Sequence, residues 1–304
     1  MKSGFILLDK PGGVTSRQAA FRVAKMFGSE DSGARTFGHI GTLDPMASGI
    51  IVIALGEATK MIPYLELAAS AKTGAACGKE YLFAVEWGVQ TDTGDITGNV
   101  NVLERGGKIP TEDEIVKIIP KFIGEMDQIP PVFSAKKIKG VPAYKLARAG
   151  KIEYAILGLK PKRISIFDLS FNEGVFKVGC GAGTYIRALT SDIAKALGTV
   201  ATCSMIRRTK SNGFDIENAV PLDFLENMYN NGGAVEKYLL PLDLGLDDIP
   251  VAKLETKDAL KFSNGGFVPL KMEDGLVRVY ERKFIGIGKV ESGVLKPKRI
   301  VNVD

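Results

Sequence analysis

Gly38-His39-Ile40-Gly41-Thr42-Leu43-Asp44-Pro45-Met46-Ala47-Ser48-Gly49 stands directly before the apolar run Ile50-Ile51-Val52-Ile53-Ala54-Leu55. It gathers the chain's only histidine, three glycines and an Asp-Pro pair into twelve residues. A Gly-rich loop feeding a buried-type strand can present a single carboxylate on a rigid support. Turn chemistry alone also accounts for Asp, Gly and Pro, with Asp44 opening a turn and nothing more. Taken by itself, the loop leaves both readings open.

On its N-terminal side, residues 5–8 read as a short buried-type strand stopped by Lys10-Pro11-Gly12-Gly13. Thr15 or Ser16 can cap a helix in which Ala20, Val23, Ala24 and Phe27 recur on one face, with Gly28 as its stop. Residues 29–35 form a polar connection. On the C-terminal side the pattern predicts a strand over 50–55 and a helix over 58–65. Residues 68–78, rich in Ala, Gly, Ser and Lys, read as an exposed connection.

Further along, residues 80–87 alternate as a strand, with Tyr81, Phe83, Val85 and Trp87 on one face. Residues 91–98 are turn-rich. Thr111 and Glu114 make a capping-box pattern for a helix that Pro120 kinks or shortens, and Gln128-Ile129-Pro130-Pro131 forces extended backbone. Strands are expected over 164–171 and 175–180, then a helix lined by Ile186, Leu189, Thr190, Ile193 and Leu197. Arg187 falls in that helix's first turn, where a cation opposes the dipole and requires a partner such as a carboxylate. An alternating strand over 200–208 ends in Arg207-Arg208, and a short helix covers 222–229. Leu246-Asp247-Asp248-Ile249-Pro250 marks a domain boundary. Beyond it lie short strands over 277–280, 284–290 and 299–303, with Lys296, Lys298 and Arg299 as a basic tip.

Composition bounds the class. Among 304 residues, 45% are hydrophobic and 25% charged, which fits a globular protein and excludes a disordered or fibrous one. The net charge of +5 suits a polyanionic partner without requiring one. Cys77, Cys180 and Cys203 show no C-x-x-C spacing, and one histidine cannot complete a zinc site with them. The apolar run at the N-terminus is too short for a signal peptide, and no segment approaches the ~18 apolar residues of a membrane span. A cytoplasmic, membrane-free protein is the expectation. The cations over 134–139 and 144–148 read either as a solvated face or as RNA contacts.

Several segments in order resemble the TruB family of tRNA pseudouridine-55 synthases. They are Lys10-Pro11-Gly12-Gly13-Val14-Thr15-Ser16, Gly41-Thr42-Leu43-Asp44-Pro45, Lys79-Glu80-Tyr81 and Gly183-Thr184-Tyr185-Ile186-Arg187. Residues 128–137, with Gly140, Tyr144 and Ala147-Arg148, and Leu295-Lys296-Pro297-Lys298-Arg299 agree as well. Ile40 and Phe133 depart from the family's usual threonine and tyrosine.

The resemblance implies an α+β pseudouridine synthase fold: a mixed, largely antiparallel central sheet with flanking helices over 1–246, and a small β-rich PUA-type RNA-binding domain over 247–304. A thumb-like insertion spans about 124–150. It also implies an isomerase that turns the T-loop uridine of tRNA at position 55 into pseudouridine with a flipped-out base, as a monomer, without cofactor or metal. By motif position, Asp44 resembles the nucleophile, Arg187 its paired cation and Tyr81 the aromatic that stacks on the base. His39, Tyr185 and Ile206 resemble substrate-contacting residues, and Lys136 and Lys137 resemble RNA contacts. Two other readings are a catalytic subunit of a guide-RNA pseudouridylation complex and an RNA-binding or RNA-folding protein.

Overall fold

A computed structural model of the chain describes residues 2–28, 37–72, 78–100 and 108–302. The polar connection over 29–35 and Cys77 lie outside the described residues. Contacts divide the chain into two compact units: Met1–Asp44, Ile50–Cys77 and Ser211–Asp304 in the first, Pro45–Gly49 and Gly78–Lys210 in the second.

The first unit is built on two strands buried on both faces, Gly4–Lys10 and the Ile50 to Leu55 part of Ser48–Leu55. Because side chains alternate along a strand, each strand feeds two cores. Ile6, Leu8, Ile51, Ile53 and Leu55 pack with Ala20, Val23 and Ala24 of the helix Ser16–Met26. Phe5, Leu7, Ile50, Val52 and Ala54 pack instead with Met61, Leu65 and Ala68. Burying each large aliphatic contributes roughly 1.5–3 kcal/mol, so the apolar run after the loop is itself a main source of stability. Thr15 caps the helix through a full capping box with Gln18, and Gly28 beyond it takes the left-handed φ of 82°. Phe37–Ile40 pairs antiparallel with the buried strand, placing His39 opposite Ile53. Val220–Pro221 adds a short parallel pairing to Gly4–Lys10.

The predicted helix over 58–65 is a 3-10 segment, Gly56–Met61, followed by the α-helix Ile62–Lys72. The predicted exposed connection therefore begins too early. Ala68 and Ala69 are buried, since small side chains let this helix approach the core closely, and the Ala/Gly/Ser composition misread packing as exposure.

Residues 250–301 carry a five-stranded sheet in the order Val251–Lys253, Gly275–Tyr280, Phe284–Glu291, Val294–Ile300, Val268–Pro269. The helix Thr256–Ser263 supplies Phe262 to its core, beside Val277, Val279, Val290 and Leu295. Phe284, Ile287 and Val301 join the core containing Phe5 and Ile50, and contacts group this segment with the first unit. The last strand is not over 299–303 but Val294–Ile300, shifted toward the N-terminus. Cross-strand pairing with Phe284–Glu291 overrides the lysine- and proline-rich local sequence, and Pro297 is accommodated opposite Gly288, where the register is irregular. Lys296, Lys298 and Arg299 consequently line a strand rather than a turn tip.

The second unit orders its strands Ala201–Ser211, Lys79–Trp87, Val175–Cys180, Lys162–Asn172, Gly124–Gln128. Arg207 and Arg208 pair in parallel with Ser48 and Gly49, whereas the three pairings from Lys79 to Gln128 are antiparallel. Gly49 has φ 113°, and a Cβ there would overlap the Arg208 carbonyl oxygen, so only glycine admits this close approach. The helix Ile186–Ala196 buries Ile186, Leu189, Thr190 and Ile193. Phe83 stacks on Phe176 at 4.8 Å in the aromatic core.

The Thr111–Glu114 capping box starts a helix, Glu112–Ile118, that tightens to 3-10 over Ile119–Phe122, where Pro120 ends the regular hydrogen bonding. The insertion differs from the expected 124–150. Gly124–Gln128 is the edge strand of the sheet, while the hairpin Lys137–Ile138/Val141–Pro142 and the helices Ala143–Arg148 and Ile152–Gly158 share a small core of Ile138, Ala143, Ala155 and Leu159.

Candidate active site

Within the first unit, Asp44 is half-buried at the end of the Gly-rich loop. The backbone just before it is fixed by one side chain. Ser16 Oγ donates to the Leu43 carbonyl at 3.0 Å and accepts from the Leu43 N–H at 2.9 Å. Ser16 is 2% exposed, so both bonds are shielded from water. Gly41 turns the chain with φ 71°, and His39 Nε2 lies 3.1 Å from Thr42 Oγ1. Lys10, fully buried, donates to the carbonyls of Pro11 and Val14 at 2.8 and 2.7 Å and ties down the turn that leads into Ser16. The Lys-Pro-Gly-Gly-Val-Thr-Ser segment thus acts on the loop from a distance in sequence. Its serine was legible only as a helix cap, because nothing local announces a partner at Leu43.

The remaining predicted residues belong to the second unit. Tyr81 is buried on the strand Lys79–Trp87, opposite Val178, and the guanidinium of the fully buried Arg208 lies 6.0 Å from its ring centroid. Ile206 is buried two residues earlier on the Arg208 strand. Tyr185, half-buried, is the N-cap of the helix Ile186–Ala196. Lys136 and Lys137 are exposed at the start of the insertion hairpin, which turns through Lys139 and Gly140, both at positive φ.

Arg187 is 5% exposed and its donors are heavily used. It donates to the Thr93 carbonyl at 2.6 Å and the Phe133 carbonyl at 2.9 Å, and its Nε lies 3.8 Å from Asp95 Oδ2. Asp95, also buried, accepts from Thr93 Oγ1, the Thr97 N–H and Thr97 Oγ1 at 3.0, 3.0 and 2.5 Å. A buried cation at a helix start needs such compensation. Asp95 is a carboxylate partner that the sequence did not announce, since residues 91–98 read as a plain connection. A Thr-x-Asp-x-Thr pattern around a glycine is the available signal, but it does not point to an arginine so distant in sequence.

Burial pushes the Cys180 thiol up to about 11, keeping it protonated and inert. Among the described residues, no group of three or more His, Cys, Asp or Glu could hold a metal ion, and no helix is long and apolar enough to cross a membrane.

Comparison with known families gives matches from residue 30 to residue 301. Residues 30–186 match the TruB family pseudouridylate synthase N-terminal domain, 187–247 the tRNA pseudouridylate synthase B C-terminal domain, and 250–301 the pseudouridine synthase II TruB C-terminal domain. The chain is 38% identical to tRNA pseudouridine synthase B of Bradyrhizobium diazoefficiens, over 99% of this chain and 86% of the relative. It is likewise 38% identical to tRNA pseudouridine synthase B of Ectopseudomonas mendocina, over 98% of this chain and 95% of the relative. Among solved structures, an H/ACA RNP bound to a substrate RNA containing 2'-deoxyuridine aligns over 99% of this chain and 85% of that one, with TM-score 0.65 at 22% identity. A Cbf5-Nop10-Gar1 complex aligns over 98% and 84%, with TM-score 0.64 at 24% identity. At these identities the structural likeness speaks for the fold.

Proposed function

The chain belongs to the TruB family of pseudouridylate synthases, and from that premise we propose that it isomerises the T-arm uridine of tRNA at position 55, with Asp44 as the nucleophile. The single observation that carries the assignment of Asp44 is the Ser16 clamp on Leu43, which holds the preceding peptide rigid and buried.

The reaction breaks the C1'–N1 bond of one uridine, turns the base and joins C1' to C5. The hydrogen on C5 is lost as a proton and N1 gains one, so atoms and electrons balance with no co-reactant. A carboxylate can attack the uracil ring or C1' and leave again, which is what a transient covalent step requires. By motif position Arg187 serves as the site's cation, held by the Thr93 and Phe133 carbonyls and the Asp95 carboxylate. Tyr81 stacks on the base, held from one side by Arg208, while Tyr185 and Ile206 form the pocket wall. His39 fills the gap left by the extruded nucleotide, whose flipping costs a few kcal/mol. Lys136 and Lys137 contact phosphates. Residues 247–304 serve as a PUA-like RNA-binding module. The enzyme works in the cytoplasm as a monomer, with the T-arm as the recognised element and no cofactor.

Incubation of the purified chain with an unmodified T-arm transcript and no guide RNA, followed by nucleoside mass spectrometry, tests this reading. Pseudouridine at the T-loop uridine is expected. Its absence without a guide RNA would overturn the stand-alone assignment.

A further inference from the structure

Gln128 ends the edge strand Gly124–Gln128, opposite Lys162, and directly precedes Ile129-Pro130-Pro131. It is 1% exposed, and its carboxamide is committed twice to a single residue. Gln128 Nε2 donates to the Tyr185 carbonyl at 3.1 Å, and Gln128 Oε1 accepts from the Tyr185 N–H at 2.8 Å. The opposite amide orientation would set donor against donor and acceptor against acceptor, so the pairing selects one orientation.

Tyr185 is extended, with φ −105° and ψ 113°, and caps its helix without a side-chain hydrogen bond. In extended backbone the N–H and C=O of one residue point to the same side, and a planar amide there satisfies both as a neighbouring strand would. The Tyr185 carbonyl also accepts the first helical bond, from the Leu189 N–H at 3.0 Å. Gln128 therefore holds the residue from which the helix starts. Two residues on, Arg187 donates to the carbonyl of Phe133, in the same segment that Gln128 opens. Segments 128–133 and 185–187 are thus joined at both ends.

We propose that Gln128 is a positioning residue for the isomerisation: it fixes the first turn of the helix and with it the guanidinium of Arg187 and the ring of Tyr185. This rests on the reading of those two residues as parts of the site. An amide serving packing alone would be replaceable by an apolar isostere at little cost, whereas a buried pair satisfied on both edges specifies geometry.

The test compares the full-length wild type with Gln128→Glu and Gln128→Leu on the T-arm transcript, reading single-turnover rate, RNA dissociation constant and thermal midpoint. Ionised glutamate keeps the acceptor for the Tyr185 N–H and loses the donor, so its rate is read at a pH high enough to ionise it; leucine loses both. A reacting group displaced by about 1 Å costs about 10²-fold in rate, so losses of about 10-fold for glutamate and about 10²-fold for leucine are expected, with RNA affinity unchanged. Wild-type rates in the leucine variant would overturn the proposal. So would rate and affinity falling together with a lowered midpoint, or failure of both variants to fold, since each marks a purely structural residue. A wild type that makes no pseudouridine would instead overturn the enzymatic reading, and this inference with it.

Discussion

The hydroxyl of Ser16 and the peptide of Leu43 hold each other by two hydrogen bonds, at 2.9 and 3.0 Å, one residue before Asp44. Replacing Ser16 by Ala leaves a buried N–H and a buried carbonyl without this partner, at a cost of about 1–3 kcal/mol each if unrelieved. The Ser16→Ala variant is expected to unfold at a lower temperature and to lose single-turnover rate by at least ~10-fold through misplacement of Asp44. An unchanged rate would show that the loop holds its shape without the clamp.

Asp44→Asn removes the charge and preserves the shape. RNA binding, measured by filter retention or anisotropy, should stay near the wild-type value while turnover vanishes. Loss of both together would make Asp44 a structural residue.

Arg187 is buried among the Thr93 and Phe133 carbonyls and the Asp95 carboxylate. Arg187→Met should lower the rate strongly, and Asp95→Asn should lower it less, because the Thr93 and Phe133 carbonyls remain. Removing one member of a buried ion pair typically costs about 3–5 kcal/mol, and the 3.8 Å separation argues for the lower end. A double-mutant cycle decides the coupling: additive effects would show that Asp95 does not act through Arg187.

Lys136 and Lys137 are exposed on the insertion hairpin. Changing both to Ala should flatten the log–log salt dependence of RNA binding by roughly 0.7–0.9 per lost phosphate contact. An unaltered slope would remove these lysines from the interface.

Tyr280 donates its hydroxyl to Asp243, and burial together with that carboxylate pushes its pKa up to about 12. The phenol of an unfolded chain titrates near 10, so between about 10 and 12 the folded state holds the proton more often and stability falls as pH rises. Below about 10 this contribution is fully present. Alkaline melting curves of Tyr280→Phe should show a shallower decline over that window; parallel curves would mean the hydroxyl contributes nothing.

The two cores of the first unit were legible because their physics is local. Ile50 to Leu55 reads as a strand buried on both faces from composition alone, and Thr15 with Gln18 or Thr111 with Glu114 is a cap written within four residues. The strand Val175–Cys180 matches its predicted bounds for the same reason. Where packing partners lay far off, local pattern failed: Ala68 and Ala69 looked like a connection, the last strand was placed too late, and the helix Ile152–Gly158 gave no separate signal.

At the site, the resemblance of several sequence segments to the TruB family pointed to Asp44, Tyr81, Arg187, His39 and the basic hairpin. The family matches over 30–247 and 250–301 and the 38% identity to relatives over nearly the whole chain show that family. What only the tertiary structure decided is what holds them. Ser16 against Leu43, Asp95 against Arg187, Arg208 over Tyr81 and Gln128 against Tyr185 are all pairings across long sequence distances. A hydrogen bond or buried charge is satisfied by whatever the fold brings within about 3–4 Å, and that distance is not encoded in any local window of sequence.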